Sequence, residues 1–172
     1  MRKSVQIPSV RILGLDPGSR HTGYGFLEKQ GSRLSTLAYG RISCPAKLSL
    51  PERITLLTSQ LEELLLKWTP QTVALETPFH GLNVRSLIVL AQARGALLAV
   101  LGRYGLDIRE YSPAEVKSAV TGHGRSDKQQ VARMVSMILA MRGKRVSPDA
   151  TDALAVAICC AQLRTFEKLS QS

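Results

Sequence analysis

The sequence predicts an α/β fold whose five-stranded mixed sheet has three antiparallel strands first, parallel strands next, and helices on its faces. Short apolar runs that end abruptly in turn residues alternate with longer segments of helical periodicity. The first three of these runs are separated by short glycine-containing turns, which suit antiparallel hairpins. Each of the last two runs follows a predicted helix, and these runs supply the parallel part of the sheet.

The first strand is predicted at about 11–16, where an apolar run ends at Asp16 and is followed by Pro17 and Gly18. A carboxylate therefore lies at the tip of a core strand. The glycines that follow allow a tight turn into a second strand at about 23–28. Because Asp before Pro-Gly is also a common turn residue, this segment alone is compatible with a purely structural role.

A third strand at about 34–43 follows the turn at Gly31 and completes an antiparallel meander. The first helix comes next. Ser49 and Glu52 match a capping box, and apolar residues then keep helical spacing up to Pro70. We expect this helix to cover one face of the sheet.

The fourth strand is a compact apolar run at 73–75 that ends at Glu76 before Pro78 breaks the chain direction. A second carboxylate is therefore predicted at the end of a second core strand. Asn83 is the predicted N-cap of the next helix, which runs to about Arg103.

Small residues recur every four positions on one face of this second helix, at Ala91, Gly95 and Ala99. A glycine inside a helix costs roughly 1 kcal/mol relative to alanine, so a close-packing partner is predicted on this face. Another helix would fit there. The sequence leaves open whether that helix belongs to the same chain or to a second copy.

The fifth strand is predicted at 108–111, and a short helix follows Ser112. A glycine-rich basic loop at 121–125 then leads into another helix, for which Ser126 and Gln129 form the predicted capping box. The N-terminus of this helix is a natural contact for a phosphate group.

The last helix is predicted to begin with Ser147 as N-cap and Pro148 at its first position, and to run towards Phe166. Its first turns carry Asp149 and Asp152, which are three residues apart and therefore share one face. One acidic residue at a helix N-terminus is ordinary compensation of the helix dipole. Two like charges at this spacing repel each other, and this pair is the more informative feature.

The composition predicts a single domain over residues 1–172, with residues 1–9 as a loose tail. The 23 Lys and Arg residues exceed the 13 Asp and Glu residues, and the net charge of +10 favours a polyanionic partner such as nucleic acid. The three cysteines do not have the spacing of metal ligands, and their odd number argues against a disulfide framework. No apolar signal segment is evident, so we expect a cytoplasmic protein.

Four carboxylates are expected to meet at one site, because Asp16 and Glu76 end core strands and Asp149 and Asp152 begin a helix. Such a cluster repels itself unless cations neutralise it, and oxygen ligands suit Mg²⁺ or Mn²⁺. Two ions about 3.5–4 Å apart can stabilise the attacking and leaving oxygens of a phosphodiester displacement. Together with the basic surface, this cluster predicts a metal-dependent nuclease.

Several short segments connect these elements to a known family. They are G-L-D-P-G-S-R at 14–20, T-G-Y-G at 22–25, L-E-T-P-F at 75–79, Q-A-R-G at 92–95, V-K at 116–117, G-H-G at 122–124 and D-A-T-D-A-L-A at 149–155. In this order and spacing the chain resembles the RuvC-type Holliday junction resolvases. The likeness runs from about residue 11 to residue 160, and no single segment carries it.

The resemblance implies a ribonuclease-H-like fold and a homodimer that resolves four-way DNA junctions in recombination and repair. It implies paired symmetric nicks that leave 5′-phosphate and 3′-hydroxyl ends. Asp16, Glu76, Asp149 and Asp152 fall on the family's catalytic acids, which hold two Mg²⁺ ions per active site, with Mn²⁺ as a substitute. A branch-migration helicase complex is the protein partner that the resemblance implies.

Five residues are predicted to contact DNA. Lys117 and Lys128 resemble a pair of phosphate-contacting lysines in the family. Phe79 lies where the family presents an aromatic ring to bases opened at the junction, and such stacking contributes roughly 1–3 kcal/mol per base. Arg85 and Arg125 are candidates by charge alone, through phosphate contacts that weaken as salt rises.

Three other functions remain open on the sequence. A strand followed by D-x-G-S also occurs in nucleotide-binding proteins of the actin and sugar-kinase class, although those folds need two such domains. A smaller relative of the same fold trims ribosomal RNA precursors, but Asp149, Asp152 and the Phe79 loop fit the resolvase better. A non-catalytic junction-binding module is the third alternative, and the intact acids disfavour it.

Overall fold

The computed structural model describes residues 8–77 and 83–170, with side chains described as far as residue 163. Within these ranges the chain forms five strands and five helices. They are β1 (Ser9–Asp16), β2 (His21–Gln30), β3 (Arg33–Ser43), α1 (Leu50–Trp68), β4 (Thr72–Glu76), α2 (Val84–Arg103), β5 (Asp107–Tyr111), α3 (Pro113–Thr121), α4 (Lys128–Ile138) and α5 (Pro148–Ser170).

The strands form one sheet in the order β3-β2-β1-β4-β5. β1 pairs antiparallel with β2, and β2 pairs antiparallel with β3. β1 pairs in parallel with β4, and β4 pairs in parallel with β5. The predicted mixed sheet is therefore confirmed, although β1 begins at Ser9, two residues earlier than expected.

The parallel pairing of β1 and β4 brings two acids to one edge of the sheet. Leu15 of β1 lies opposite Leu75 of β4, so the next residues, Asp16 and Glu76, leave adjacent strands at the same level. Both strands are buried almost to their last residue, because each lies inside the sheet and is covered on both faces. Asp16 and Glu76 are partly exposed at the C-terminal ends of these strands.

Two hydrophobic cores lie on opposite faces of the sheet, as the alternation of side chains along a strand requires. Ile12 of β1 packs with α3, α4 and α5 on one face, while its neighbour Leu13 packs with α1 and α2 on the other. α5 is the most buried helix on its face, since residues 153–161 are at most 2% exposed. The helix that carries the paired aspartates is thus anchored directly on the central strands.

Two glycines allow α5 to lie against the sheet backbone. A Cβ atom added at Gly14 of β1 would lie 2.0 Å from the carbonyl oxygen of Ala153, and one added at Gly23 of β2 would lie 2.0 Å from that of Asp149. No side chain fits at these distances. Gly23 therefore sets how closely the first turn of α5, with its acids, approaches β2.

The helix caps agree with the sequence, except at α4. Ser126 and Gln129 were the predicted capping box, but the observed box lies one residue later. The Asp127 carboxylate accepts a hydrogen bond from the backbone N–H of Gln130 at 2.8 Å. Ser126 is instead 7% exposed, and its hydroxyl lies 2.7 Å from the hydroxyl of Thr121. Burial of Ser126 beneath the preceding loop leaves Asp127 as the acceptor at the helix start.

The small-residue face of α2 points outward. Ala91, Gly95 and Ala99 are all exposed, and an added Cβ at Gly95 would meet nothing within 4 Å. Val84 and Ile88 extend this face and are 73% and 53% exposed. The sequence left open whether a helix of the same chain or of a second copy packs on this face. Among the described residues, no helix of the same chain does so. α2 is also the one helix in the described part of the chain that is long and apolar enough to cross a membrane.

Candidate active site

Asp16 lies at the centre of the acidic cluster. The pKa of its carboxyl group is raised from 3.8 to about 7, first by burial and then by the charges of Asp152, Asp149 and Glu76 in that order, against a lowering effect of Lys128. Each of the other three acids is therefore near enough to oppose the ionisation of Asp16. The predicted convergence of strand ends and helix start is visible in this mutual repulsion.

The pKa values of Glu76 and Asp152 are raised as well. Burial is the main cause of the raised pKa of Glu76, followed by the charge of Asp152, while Lys128 and Lys117 lower it. Burial also raises the pKa of Asp152, against the opposing effect of Lys128. Carboxylates held together in a partly buried site are typical of functional positions, because a stabilising core would not assemble them.

The two lysines predicted from the sequence lie beside the acids. Lys128, in the first turn of α4, is 88% exposed and forms an ion pair with Asp152 at 3.5 Å between Nζ and Oδ2. Lys117, on α3, is half-buried, and its charge lowers the pKa of Glu76. Both amino groups are therefore at the rim of the cluster, where a phosphate could replace a carboxylate as their partner.

Arg41 on β3 is a further cation at the site, and it was not predicted from the sequence. Its Nη1 lies 3.2 Å from Oδ2 of Asp149. Arg41 faces Gly23 across the β2–β3 ladder, where the backbone of Asp149 approaches β2. Counting residue pairs from the hairpin turn would place Gly40 opposite Gly23. A register shift between Phe26 and Leu27 brings Arg41 there instead.

The chemistry of the donor set fits divalent cations. Four carboxylates supply only hard oxygen donors, and bound Mg²⁺ or Mn²⁺ would relieve the repulsion that raises the pKa of Asp16. In the described residues, no group of three or more His, Cys, Asp or Glu side chains has the arrangement of a formed metal site.

Two of the other three predicted DNA contacts lie in the described residues, and both are exposed. Arg125 is exposed in the loop that precedes α4. Arg85 is exposed in the first turn of α2. Phe79 lies outside the described residues.

A family model of the crossover junction endodeoxyribonuclease RuvC matches residues 12–160. The chain belongs to the RuvC family. It is 45% identical over 155 residues to RuvC of Heliobacterium modesticaldum, covering 90% of this chain and 96% of that protein. It is 49% identical over 148 residues to RuvC of Chlorobaculum parvum, covering 86% of this chain and 79% of that protein. As a member of this family the protein is an endonuclease, and membership implies dependence on a divalent metal.

Solved structures of RuvC proteins confirm the predicted ribonuclease-H-like fold. "T. thermophilus RuvC in complex with Holliday junction substrate" aligns with a TM-score of 0.85 and 28% identity, over 91% of this chain and 96% of that chain. The yeast mitochondrial Holliday junction resolvase Ydc2 aligns with a TM-score of 0.69 over 98% of this chain and 88% of that chain. At 16% identity, Ydc2 shows likeness of fold alone. The resemblance inferred from the RuvC motifs is thus confirmed for family and architecture.

Proposed function

We propose that this RuvC family member resolves four-way DNA junctions by paired, symmetric nicks in recombination and repair. The observation that carries the proposal is the cluster around Asp16, where the charges of three other acids oppose ionisation of one carboxyl group. Cationic side chains, among them Arg41, Lys117 and Lys128, surround this cluster. Acids that bind metal ions and cations that bind phosphate are the two parts that phosphodiester hydrolysis requires.

The four carboxylates of Asp16, Glu76, Asp149 and Asp152 would hold two Mg²⁺ ions, with Mn²⁺ as a substitute. Bound there, the ions would lower the pKa of a water molecule and neutralise charge on the scissile phosphate. Asp16, whose pKa the other three acids all raise, would be a central ligand of these ions. Asp149 orients the attacking water, and departure of the 3′ oxygen leaves 5′-phosphate and 3′-hydroxyl ends.

The DNA would approach across the basic rim of the cluster. Lys117 and Lys128 would contact phosphates next to the scissile bond. This is supported by their nearness to the acids, since both lower the pKa of Glu76 and Lys128 pairs with Asp152. Arg125 and Arg85 would extend this contact along the backbone, and Phe79 would stack on a base opened at the junction. Binding of this kind weakens as salt rises, because each phosphate contact releases counterions.

A homodimer would supply the two active sites that symmetric nicking needs. The outward face of α2, formed by Val84, Ile88, Ala91, Gly95 and Ala99, is apolar and exposed. A second copy of the same helix could approach closely there, because the small residues admit its backbone. We also propose a cytoplasmic location and cooperation with a branch-migration helicase complex, both on the basis of family membership.

Replacing Gly95 with arginine is expected to convert the dimer into a monomer. An added Cβ at this position meets nothing within 4 Å in the chain itself, so the fold should tolerate the substitution. The charged side chain would instead occupy the centre of the apolar face. Light scattering at matched concentrations measures the change, with Leu66→Arg as the control, since Leu66 is 67% exposed on α1. If both variants remained dimers, the dimer interface would not lie on this face of α2.

The test of the proposed function is cleavage of a synthetic four-way junction beside linear duplex and structured RNA, each with Mg²⁺ and with chelator. We expect paired nicks at symmetric positions, only in the junction and only with metal. Preferential cutting of the RNA would instead favour a ribosomal-RNA-processing nuclease. ATP hydrolysis without DNA would favour the nucleotide-binding class. Junction binding without cleavage at any metal concentration would indicate a non-catalytic binding module.

A further inference from the structure

Arg94 is the most buried charged side chain among the described residues, and the proposed reaction does not use it. It belongs to the Q-A-R-G segment of α2, on the side of the helix that faces the sheet. Its residue exposure is 7%, although it carries a full positive charge. A cation at this depth is stable only when it is paired and hydrogen-bonded.

The guanidinium group of Arg94 joins two strands. Its Nη1 donates a hydrogen bond to the backbone carbonyl oxygen of Glu76 at 2.9 Å. Its Nη2 lies 2.8 Å from Oε1 of Glu110 on β5. Glu110 is opposite Leu75, the residue that precedes Glu76 on β4. The planar fork of the arginine therefore connects α2 to the end of β4 and to the neighbouring strand.

The carbonyl held by Arg94 belongs to one of the four acids of the cluster. β4 ends at Glu76, and the next amide, that of Thr77, donates to the carbonyl oxygen of Tyr111 at 2.8 Å. The peptide group between Glu76 and Thr77 is thus hydrogen-bonded at its carbonyl oxygen and at its N–H. Because side chains alternate along a strand, Leu75 points towards α2, and the Glu76 side chain points to the face occupied by α5.

We propose that Arg94 is a positioning residue that aims the Glu76 carboxylate into the metal site by holding its backbone carbonyl from the opposite face of the sheet. This inference rests on the proposed function, in which Glu76 is a metal ligand. A hydrogen bond from a charged donor is stronger than one between neutral groups, and breaking it would leave a carbonyl without its partner. Groups that orient metal ligands affect metal affinity or activity by about 10-fold to 100-fold when they are removed.

The test compares four forms of the full chain with wild type: Arg94→Lys, Glu110→Gln, the Arg94→Gln/Glu110→Gln double variant, and Arg103→Lys. Arg94→Lys keeps the charge but loses the fork that reaches both partners. The double variant removes both charges together, so no uncompensated charge is left buried and a folded protein is expected. Arg103 is the matched control, since it is 67% exposed at the end of the same helix.

We expect Arg94→Lys and the double variant to need about 10-fold to 100-fold more Mg²⁺ for half-maximal junction cleavage. The rise in melting temperature on adding Mg²⁺ should shrink in parallel, and junction binding in chelator should stay within about twofold of wild type. Glu110→Gln should lower stability but keep the Mg²⁺ requirement, because the bond to the Glu76 carbonyl remains. Arg103→Lys should match wild type in both measurements.

A second comparison ties the effect to Glu76. In a Glu76→Gln background, adding Arg94→Lys should not reduce the Mg²⁺-dependent rise in melting temperature any further. A wild-type Mg²⁺ requirement in both Arg94 forms would overturn the positioning role while leaving the junction-resolution proposal intact. Failure of the wild-type protein to cleave any junction would instead reject the junction-resolution proposal, and the melting measurement would still decide whether Arg94 acts through Glu76.

Discussion

Asp16→Asn is expected to reduce junction cleavage by at least about 10³-fold, the scale on which loss of a central catalytic group acts. The amide cannot supply the charge that offsets two divalent ions, and Asp16 is the acid on which the other three act. The measurement is single-turnover cleavage of a labelled four-way junction with Mg²⁺. Junction binding should be unchanged or tighter, because the substitution removes a negative charge from the DNA-facing site.

The same substitution should stabilise the protein in chelator. The pKa of Asp16 is raised from 3.8 to about 7 by burial and by its acidic neighbours. Between these values the unfolded chain releases its proton while the folded chain keeps it, so stability falls as pH rises through this window. Asn has no proton to lose. At pH 8 we expect Asp16→Asn to exceed wild type in unfolding free energy by roughly 1–3 kcal/mol, and at pH 3.5 by much less.

Chemical denaturation at several pH values in chelator measures this difference, and added Mg²⁺ supplies the control. Mg²⁺ should stabilise the wild-type protein more than Asp16→Asn, because the ions bind the cluster that Asp16 completes. A stability difference independent of pH would show that burial and the neighbouring acids do not raise the pKa of Asp16. Cleavage by the variant at the wild-type rate would remove Asp16 from the reaction.

Gly23→Ala is expected to lower cleavage by about 100-fold without altering any acid. The added Cβ would lie 2.0 Å from the carbonyl oxygen of Asp149, so the first turn of α5 must move away from β2. A displacement of about 1 Å in a catalytic group is enough for a loss of this size. Overpacking between helix and sheet should also cost about 2 kcal/mol of stability. Rates come from the same junction assay, and stability from denaturation.

Gly102→Ala is the matched control for this substitution. An added Cβ at Gly102 meets nothing within 4 Å, and alanine favours the helix that contains it. Its cleavage rate should equal that of wild type, and its stability should be equal or slightly higher. If Gly23→Ala retained the wild-type rate, the position of the Asp149 backbone against β2 would not matter to the reaction.

Much of the fold followed from local signals. The apolar runs ending at Asp16 and Glu76, the glycine turns and the capping residues predicted the five strands and most helix starts, because these patterns report burial and backbone conformation residue by residue. The α4 cap was wrong by one position, since Ser126 and Asp127 are both good caps and burial of Ser126 decided between them. The assignment of the four acids and of Lys117 and Lys128 to the reaction stays a prediction.

The amino-acid sequence alone was enough to identify the carboxylates at the ends of core strands, the basic character of the chain and the family of its motifs. Three features became evident only in the folded chain: Arg41 reaches Asp149, Arg94 holds the Glu76 carbonyl, and the small-residue face of α2 is exposed. They depend on a shift in strand register and on which way each helix face turns. Neither is a property of neighbouring residues, because both arise only when distant segments pack against each other.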